Sequence, residues 1–148
     1  RLLPDTVQAV QEVISLPLIL ETSNITALER ALRIYNGKAA VLLPLAEEGF
    51  LSKAFSVIKK YGAVIVCGPE KMNEAIAETF VSLGLKAGFQ KKDLMLLCRE
   101  ETEEAVFALS RLSNSYGVGA MAFGSFQKLS EECRSFLSGC IELQSDLQ

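Results

Sequence analysis

The chain has no histidine and no tryptophan among its 148 residues, and it lacks any long apolar run. Without histidine, Ser-His-Asp and Cys-His catalysis are excluded, and proton transfer near neutral pH must rely on a carboxylate, lysine, cysteine or tyrosine. No apolar run approaches the ~20 residues that a membrane helix needs, and no basic region followed by an apolar segment opens the sequence. We therefore expect a soluble, cytoplasmic protein with no membrane partner.

Cysteine is present but lacks metal-binding spacing. The four cysteines show no C-x-x-C pair, and they are Cys67, Cys98, Cys133 and Cys140. Because histidine is also absent, the common zinc ligand sets cannot be assembled. We expect reduced thiols and no metal site.

The chain also has no excess of positive charge. Its net charge is -3 and its pI is about 5.1, and its 15 Lys and Arg residues are scattered along the sequence. A protein of this kind has no field that attracts phosphate backbones. Nucleic acid is therefore not an expected partner.

What the sequence does contain is an apolar, repetitive pattern. Hydrophobic residues make up 49% of the chain, which is enough for one core and predicts a single domain over 1–148. Short apolar runs alternate with helical stripes, and Gly37, Gly62, Gly88 and Gly117 recur at similar intervals at the predicted helix ends. Five strands are predicted, at Leu18–Leu20, Ala39–Leu45, Ala63–Cys67, Leu94–Cys98 and Val118–Phe123.

The predicted fold class is α/β, with repeated βα units and a parallel sheet. Strands joined through one helix each must run parallel. Further helices are predicted before the first strand, with Leu3, Val7, Val10 and Ile14 at helical spacing, and after the last, with Leu129 to Cys140. Five βα units form either an open doubly wound sheet or part of a (β/α)₈ barrel, which needs ~250 residues when complete.

The first strand ends in a group of polar side chains. Leu18–Leu20 is expected to be buried on both faces, and Glu21, Thr22, Ser23 and Asn24 follow it directly. Polar groups at the carboxyl end of a parallel strand lie where α/β proteins bind ligands. Thr22, Ser23 and Asn24 are equally suited to cap the next helix, and the helix-cap interpretation is favoured.

Other candidate residues are less specific. Glu47 and Glu48 follow the second strand and have the chemistry of an acid-base pair, although adjacent loop carboxylates are more often solvated. Cys98 beside Arg99 suggests either a thiol of lowered pKa or an inert buried thiol, the second being favoured. Gly68-Pro69-Glu70 and Gly124-Ser125 offer backbone N–H groups to a phosphate, but both suit ordinary turns.

The first two predicted strands and the helix between them resemble the pterin-binding methyltransferase domains of the dihydropteroate synthase-like superfamily. The resemblance is carried by Leu18-Ile19-Leu20-Glu21-Thr22-Ser23-Asn24, Leu28-Glu29-Arg30-Ala31-Leu32 and Gly37-Lys38-Ala39. It is strongest to the branch that transfers a methyl group from methyltetrahydrofolate to a corrinoid, which includes the folate domain of cobalamin-dependent methionine synthase. The resemblance implies a TIM-barrel-like fold, of which this chain would supply the third to seventh strands and lack both ends.

The resemblance implies pterin ligands at the strand ends. The family has Asp-Thr-Ser-Asn after the third strand, so Glu21, Thr22, Ser23 and Asn24 are the candidate cofactor-binding residues. Glu21 keeps the carboxylate that accepts pterin N–H donors, and Asn24 is retained. The implied cofactors are methyltetrahydrofolate or another pterin, with cobalamin held by a partner.

Later strand ends depart from the family. Leu42-Leu43 stands where the family has Asn-Ser, Leu97-Cys98 replaces Asp-Pro, and Phe123-Gly124 or Gly124-Ser125 replaces Ser-Asn. Each lost partner of a buried pterin costs ~1–3 kcal/mol. Three lost partners predict weak or absent pterin binding, and no catalytic residue is assigned.

Three functions remain open from the sequence. The first is a pterin- or folate-binding, methyltransferase-like domain of impaired activity, acting with a corrinoid protein. The second is a non-catalytic scaffold or interaction domain of a larger corrinoid-associated protein, in which exposed sheet edges are covered by a partner or by self-association. The third is an unrelated flavodoxin-like or other doubly wound domain.

Overall fold

A computed structural model of the protein describes residues 2–44, 48–122 and 131. The elements run in the order α1 (Leu2–Val13), β1 (Ile19–Glu21), α2 (Ile25–Ile34), β2 (Ala40–Leu43), α3 (Glu48–Lys60), β3 (Val64–Cys67), α4 (Glu74–Lys86), a 3₁₀ turn (Lys91–Asp93), β4 (Leu94–Cys98), α5 (Glu103–Tyr116) and β5 (Gly119–Ala122). The predicted helix over Leu129 to Cys140 lies outside the described residues, apart from Glu131.

The strands form one sheet in the order β1-β2-β3-β4-β5. β1 runs parallel to β2, with Glu21 opposite Leu42, and β4 runs parallel to β5, with Cys98 opposite Ala122. The predicted α/β class with repeated βα units is confirmed. The order contains no reversal of the kind that defines a doubly wound sheet. In the part of the chain that the structure describes, the sheet is not closed, and the barrel stays a prediction.

Two compact units divide the chain, Arg1–Ile65 and Val66–Gln148. In the first unit, Leu28, Val41 and Ile58 are completely buried. In the second unit the same is true of Leu94 and Leu96 on β4, where all five strand residues are buried. Each unit therefore has its own apolar centre, and the predicted single domain over 1–148 stays a prediction.

The expectation that the first strand is buried on both faces is wrong. Leu20 is 3% exposed, whereas its neighbour Ile19 is 42% exposed. Among the described strands, β1 pairs only with β2, and successive residues of a strand point to opposite faces. β1 is thus an edge strand that is covered on one face only.

Two glycines behave differently from one another at helix ends. Gly117 follows α5 directly in the left-handed conformation, with φ 66° and ψ 38°, as the sequence predicts for a C-terminal stop. α2 instead ends at Ile34, because Tyr35 is already extended, and Gly37 lies in the following turn with φ 102°. Gly37 therefore shapes the turn into β2 and does not cap α2.

Polar side chains attach α1 and β1 to the loop after α2. The Gln11 amide donates to the Asn36 carbonyl oxygen over 2.9 Å and accepts from the Asn36 N–H over 3.0 Å. The Leu18 N–H donates to the Tyr35 hydroxyl over 2.8 Å. These bonds add to the apolar packing that holds α1 in place.

None of the helices within the described ranges has the length and apolarity needed to cross a membrane.

Gly84 lies inside α4. A Cβ placed on Gly84 would lie 2.6 Å from Leu94 Cδ2 and 2.9 Å from Leu94 Cδ1. Leu94 is completely buried, so its side chain has little room to move. The absent side chain is what lets α4 pack closely on β4.

We expect Gly84→Ala to lower the free energy of unfolding by about 1–3 kcal/mol, because the added methyl group overpacks the contact with Leu94. Gly49→Ala in α3 is the matched control, since a Cβ there meets nothing within 4 Å and should leave stability unchanged or raise it slightly. Urea unfolding measures both. Equal effects of the two substitutions would contradict the close packing.

Candidate functional site

The predicted polar group follows β1 at its carboxyl end. Glu21 is the last residue of the strand and is exposed, Thr22 is half-buried, and Ser23 and Asn24 are exposed. In the parallel pairing Glu21 stands opposite Leu42 of β2. All four residues thus lie at the strand end where the sequence placed them, and ligand binding by them stays a prediction.

Two of the four residues have a structural role. The Asn24 side-chain oxygen accepts the Ala27 N–H over 2.9 Å, and its backbone oxygen accepts the Leu28 N–H over 2.9 Å. The Thr22 hydroxyl oxygen in turn accepts the Asn24 N–H over 3.1 Å. Asn24 is therefore the N-cap of α2, and Thr22 fixes the backbone that presents it.

The carboxyl end of β2 is apolar. Leu42 and Leu43 are only 5% and 7% exposed. Pro44 follows them and is exposed. Glu47 lies outside the described residues, and of Glu48 only its place at the start of α3 is described. The described part of this strand end, from Leu42 to Pro44, therefore carries no polar side chain.

The second unit carries two buried thiols at strand ends. Cys67 ends β3 and Cys98 ends β4, and each is 3% exposed. Burial raises the pKa of the Cys67 thiol to about 11. Burial also raises the pKa of Cys98, although its Sγ donates to the Glu100 carbonyl oxygen over 3.4 Å. Both groups are neutral thiols at pH 7.

Arg99, the neighbour of Cys98, contacts the loop after β3. Its Nε donates to the Gly68 carbonyl oxygen over 2.9 Å, which links the loop after β4 to the loop after β3. The suggestion that the Cys98 thiol has a lowered pKa is wrong, because burial raises that pKa, and the favoured interpretation of a buried thiol is supported. Gly68 and Pro69 are half-buried parts of the loop before α4.

A cluster of charges that the sequence analysis missed joins α2 to the end of α3. Lys60 Nζ lies 2.9 Å from Glu29 Oε1, and Arg33 Nη2 lies 3.9 Å from the same oxygen. The Tyr61 hydroxyl donates to it over 3.4 Å. The hydrogen bond and charge of Lys60 lower the pKa of Glu29. Only the i, i+4 spacing of Glu29 and Arg33 is readable from sequence.

This charged cluster is not a catalytic candidate. Lys60 ends α3, just before β3 begins, so the cluster lies near the amino end of that strand, whereas α/β sites form at carboxyl ends. Its side chains are solvated, and exposed ion pairs of this kind contribute little to stability.

The described residues hold few groups able to bind a polar ligand away from water. Residues 2–44 and 49–122 contain no buried polar or charged side chain, and the described residues contain no cluster of three or more Cys, Asp or Glu residues suited to a metal ion. A comparison of the chain with protein-family models and a search of curated proteins both found no match.

We expect Asn24→Ala to destabilise the protein by about 1 kcal/mol through loss of the α2 cap. Asn73→Ala is the matched control, since the Asn73 side chain caps α4 by accepting the Ile76 N–H over 3.0 Å. Urea unfolding should give similar losses for both variants, and Asn24→Ser should recover most of the first. A loss at Asn24 well below that at Asn73 would contradict its role as a cap.

Proposed function

We propose that this chain is a non-catalytic interaction domain of the pterin-binding type, belonging to a larger protein that takes part in methyl transfer to a corrinoid. The observation that carries the proposal is the apolar character of the strand ends. Leu42 and Leu43 end β2, and Leu97 and Cys98 end β4, all of them buried. In the resembled family these positions carry polar pterin ligands.

The energetics favour this interpretation over catalysis. A pterin ring has several hydrogen-bond donors and acceptors, and each one left without a partner in a buried site costs ~1–3 kcal/mol. At the β1 end, the Asn24 side-chain oxygen and the Thr22 hydroxyl already accept backbone N–H groups. The Glu21 carboxylate and the Ser23 hydroxyl would supply only a small part of the network that activates the folate at N5 in the family.

The strand order supports a barrel-type origin. The five strands follow one another along the sheet without reversal, as consecutive strands of a (β/α)₈ barrel do. A doubly wound sheet changes direction at its switch point, so the flavodoxin-like alternative is disfavoured. We therefore propose that the βα units form part of a TIM-barrel-like fold.

A second candidate function is residual pterin binding by a methyltransferase-like site. The observation that favours it is the exposed position of Glu21 at the carboxyl end of β1. In the parallel pairing, Glu21 stands opposite Leu42 of β2. Methyltetrahydrofolate or another pterin would be the ligand, and a partner would hold the cobalamin. Loss of the other polar positions makes turnover by this chain alone unexpected.

Calorimetric titration with methyltetrahydrofolate separates the two candidates. We expect no saturable heat from the wild-type chain, because too few partners remain for a buried pterin. Saturable heat that Glu21→Gln abolishes, and that Glu70→Gln at an exposed loop position leaves intact, would overturn the non-catalytic assignment and establish the second candidate.

The interaction role itself is tested with a purified corrinoid-binding protein loaded with methylcobalamin. We expect a complex in analytical ultracentrifugation, with or without folate. A monodisperse monomer that forms no complex with that protein would contradict the proposed role.

A further inference from the structure

Helix α1 carries two apolar stripes, of which one packs against the rest of the described fold. The inner stripe contains Leu3, Val7 and Val10, with Ile14 directly after the helix, and α1 packs against α2. Val7 at its centre is 2% exposed, and Leu3 and Val10 are half-buried. This is the packing that the spacing of these residues predicts.

The outer stripe of α1 consists of Leu2, Thr6, Ala9 and Val13, all of them exposed. Leu2 and Val13 are each 85% exposed, which is the highest exposure among the described large hydrophobic side chains. The Thr6 hydroxyl donates to the Leu2 carbonyl oxygen over 2.8 Å, so this polar group is satisfied within the helix. A spacing of four, three and four residues places these side chains along one line on a helix.

The outer stripe belongs to a helix whose position is fixed. The two hydrogen bonds between Gln11 and Asn36 fasten α1 to the loop after α2. The stripe is therefore presented in a set orientation, and a partner does not have to order it on binding. A preorganised apolar face of this kind favours docking of a second helix.

Charge identifies the kind of helix that fits. Asp5 and Glu12 lie beside the outer stripe, on the side away from the inner one, and both are exposed. Gln8 donates to Glu12 over 3.4 Å, and α1 contains no basic residue between Leu2 and Val13. In an antiparallel pairing of α1 with a second copy, Asp5 would approach Glu12 of that copy, and like charges oppose such pairing.

We propose that the outer stripe of α1 docks an amphipathic helix of a partner protein, one whose apolar stripe is flanked by Lys or Arg. The inference rests on the interaction role proposed above and names the surface that serves it. Apolar burial would supply most of the affinity, and the acidic flank would select the partner and its orientation.

A pair of short fluorescent peptides tests this surface by anisotropy. Both are amphipathic helices with the same Leu and Ala stripe, one flanked by Lys and the other by Glu. We expect the Lys-flanked peptide to bind the wild-type chain at least roughly tenfold more tightly than the Glu-flanked one.

Variants with opposite effects on net charge separate docking from general attraction. Val13→Asp adds a negative charge but interrupts the stripe, and Asp5→Asn with Glu12→Gln removes two charges but leaves the stripe intact. Docking predicts that both weaken binding of the Lys-flanked peptide. Ala9→Gln, which adds bulk without charge, should also weaken it. Phe107→Asp, at an exposed position of α5, is the matched control and should have no effect.

Three results would overturn the proposal. Tighter binding by Val13→Asp would show attraction by net charge alone, and equal binding of the two peptides would remove the role of the acidic flank. Concentration-dependent dimers that Val13→Asp dissolves would assign the stripe to a second copy. Failure of the peptide test with retained binding of the corrinoid protein would reject this surface and leave the proposed function standing.

Discussion

Burial of the strands inside the sheet is the constraint on which the structure depends. Parallel strands satisfy one another's backbone groups but need apolar cover on both faces, and β4 meets this need with five buried residues from Leu94 to Cys98. The same need extends to the last residue of the strand, where a ligand site would require polar groups. In β2 and β4, the residues at the carboxyl end of the strand are apolar and buried. The thiols of Cys67 and Cys98 belong to the same buried apolar layer. Burial raises their pKa values, so both are neutral at pH 7.

Polar side chains in the loops after the strands form N-caps of helices. Asn24, Asn73 and Thr102 each accept a backbone N–H in the first turn of the helix that follows them, at the starts of α2, α4 and α5. The loops after β1, β3 and β4 thus each use a polar side chain to begin the helix that follows. Within the residues that the structure describes, the carboxyl ends of β2 and β4 thus contribute little binding chemistry.

Much of this architecture can be predicted from sequence, and the exceptions have physical causes. Leu94–Cys98 is predicted with its observed bounds because a short apolar run between turn residues has few alternatives. Asn24 is one of three predicted caps, and only the backbone geometry selects it. The exposure of Ile19 depends on β1 lying at the sheet edge, which local pattern does not reveal. Gly84 lies within α4, where its missing side chain permits close packing on Leu94, and sequence pattern alone does not reveal this tertiary contact.

The central claim is that Leu42, at the carboxyl end of β2, belongs to the buried core. Leu42→Asn tests it most directly, with Ile19→Asn as the comparison, because both positions lie on the same face of the β1–β2 pair and differ in exposure, 5% against 42%. Urea unfolding should show a loss of about 3 kcal/mol or more for Leu42→Asn and a clearly smaller loss for Ile19→Asn. A loss below about 0.5 kcal/mol at Leu42, as at an ordinary surface position, would contradict the account.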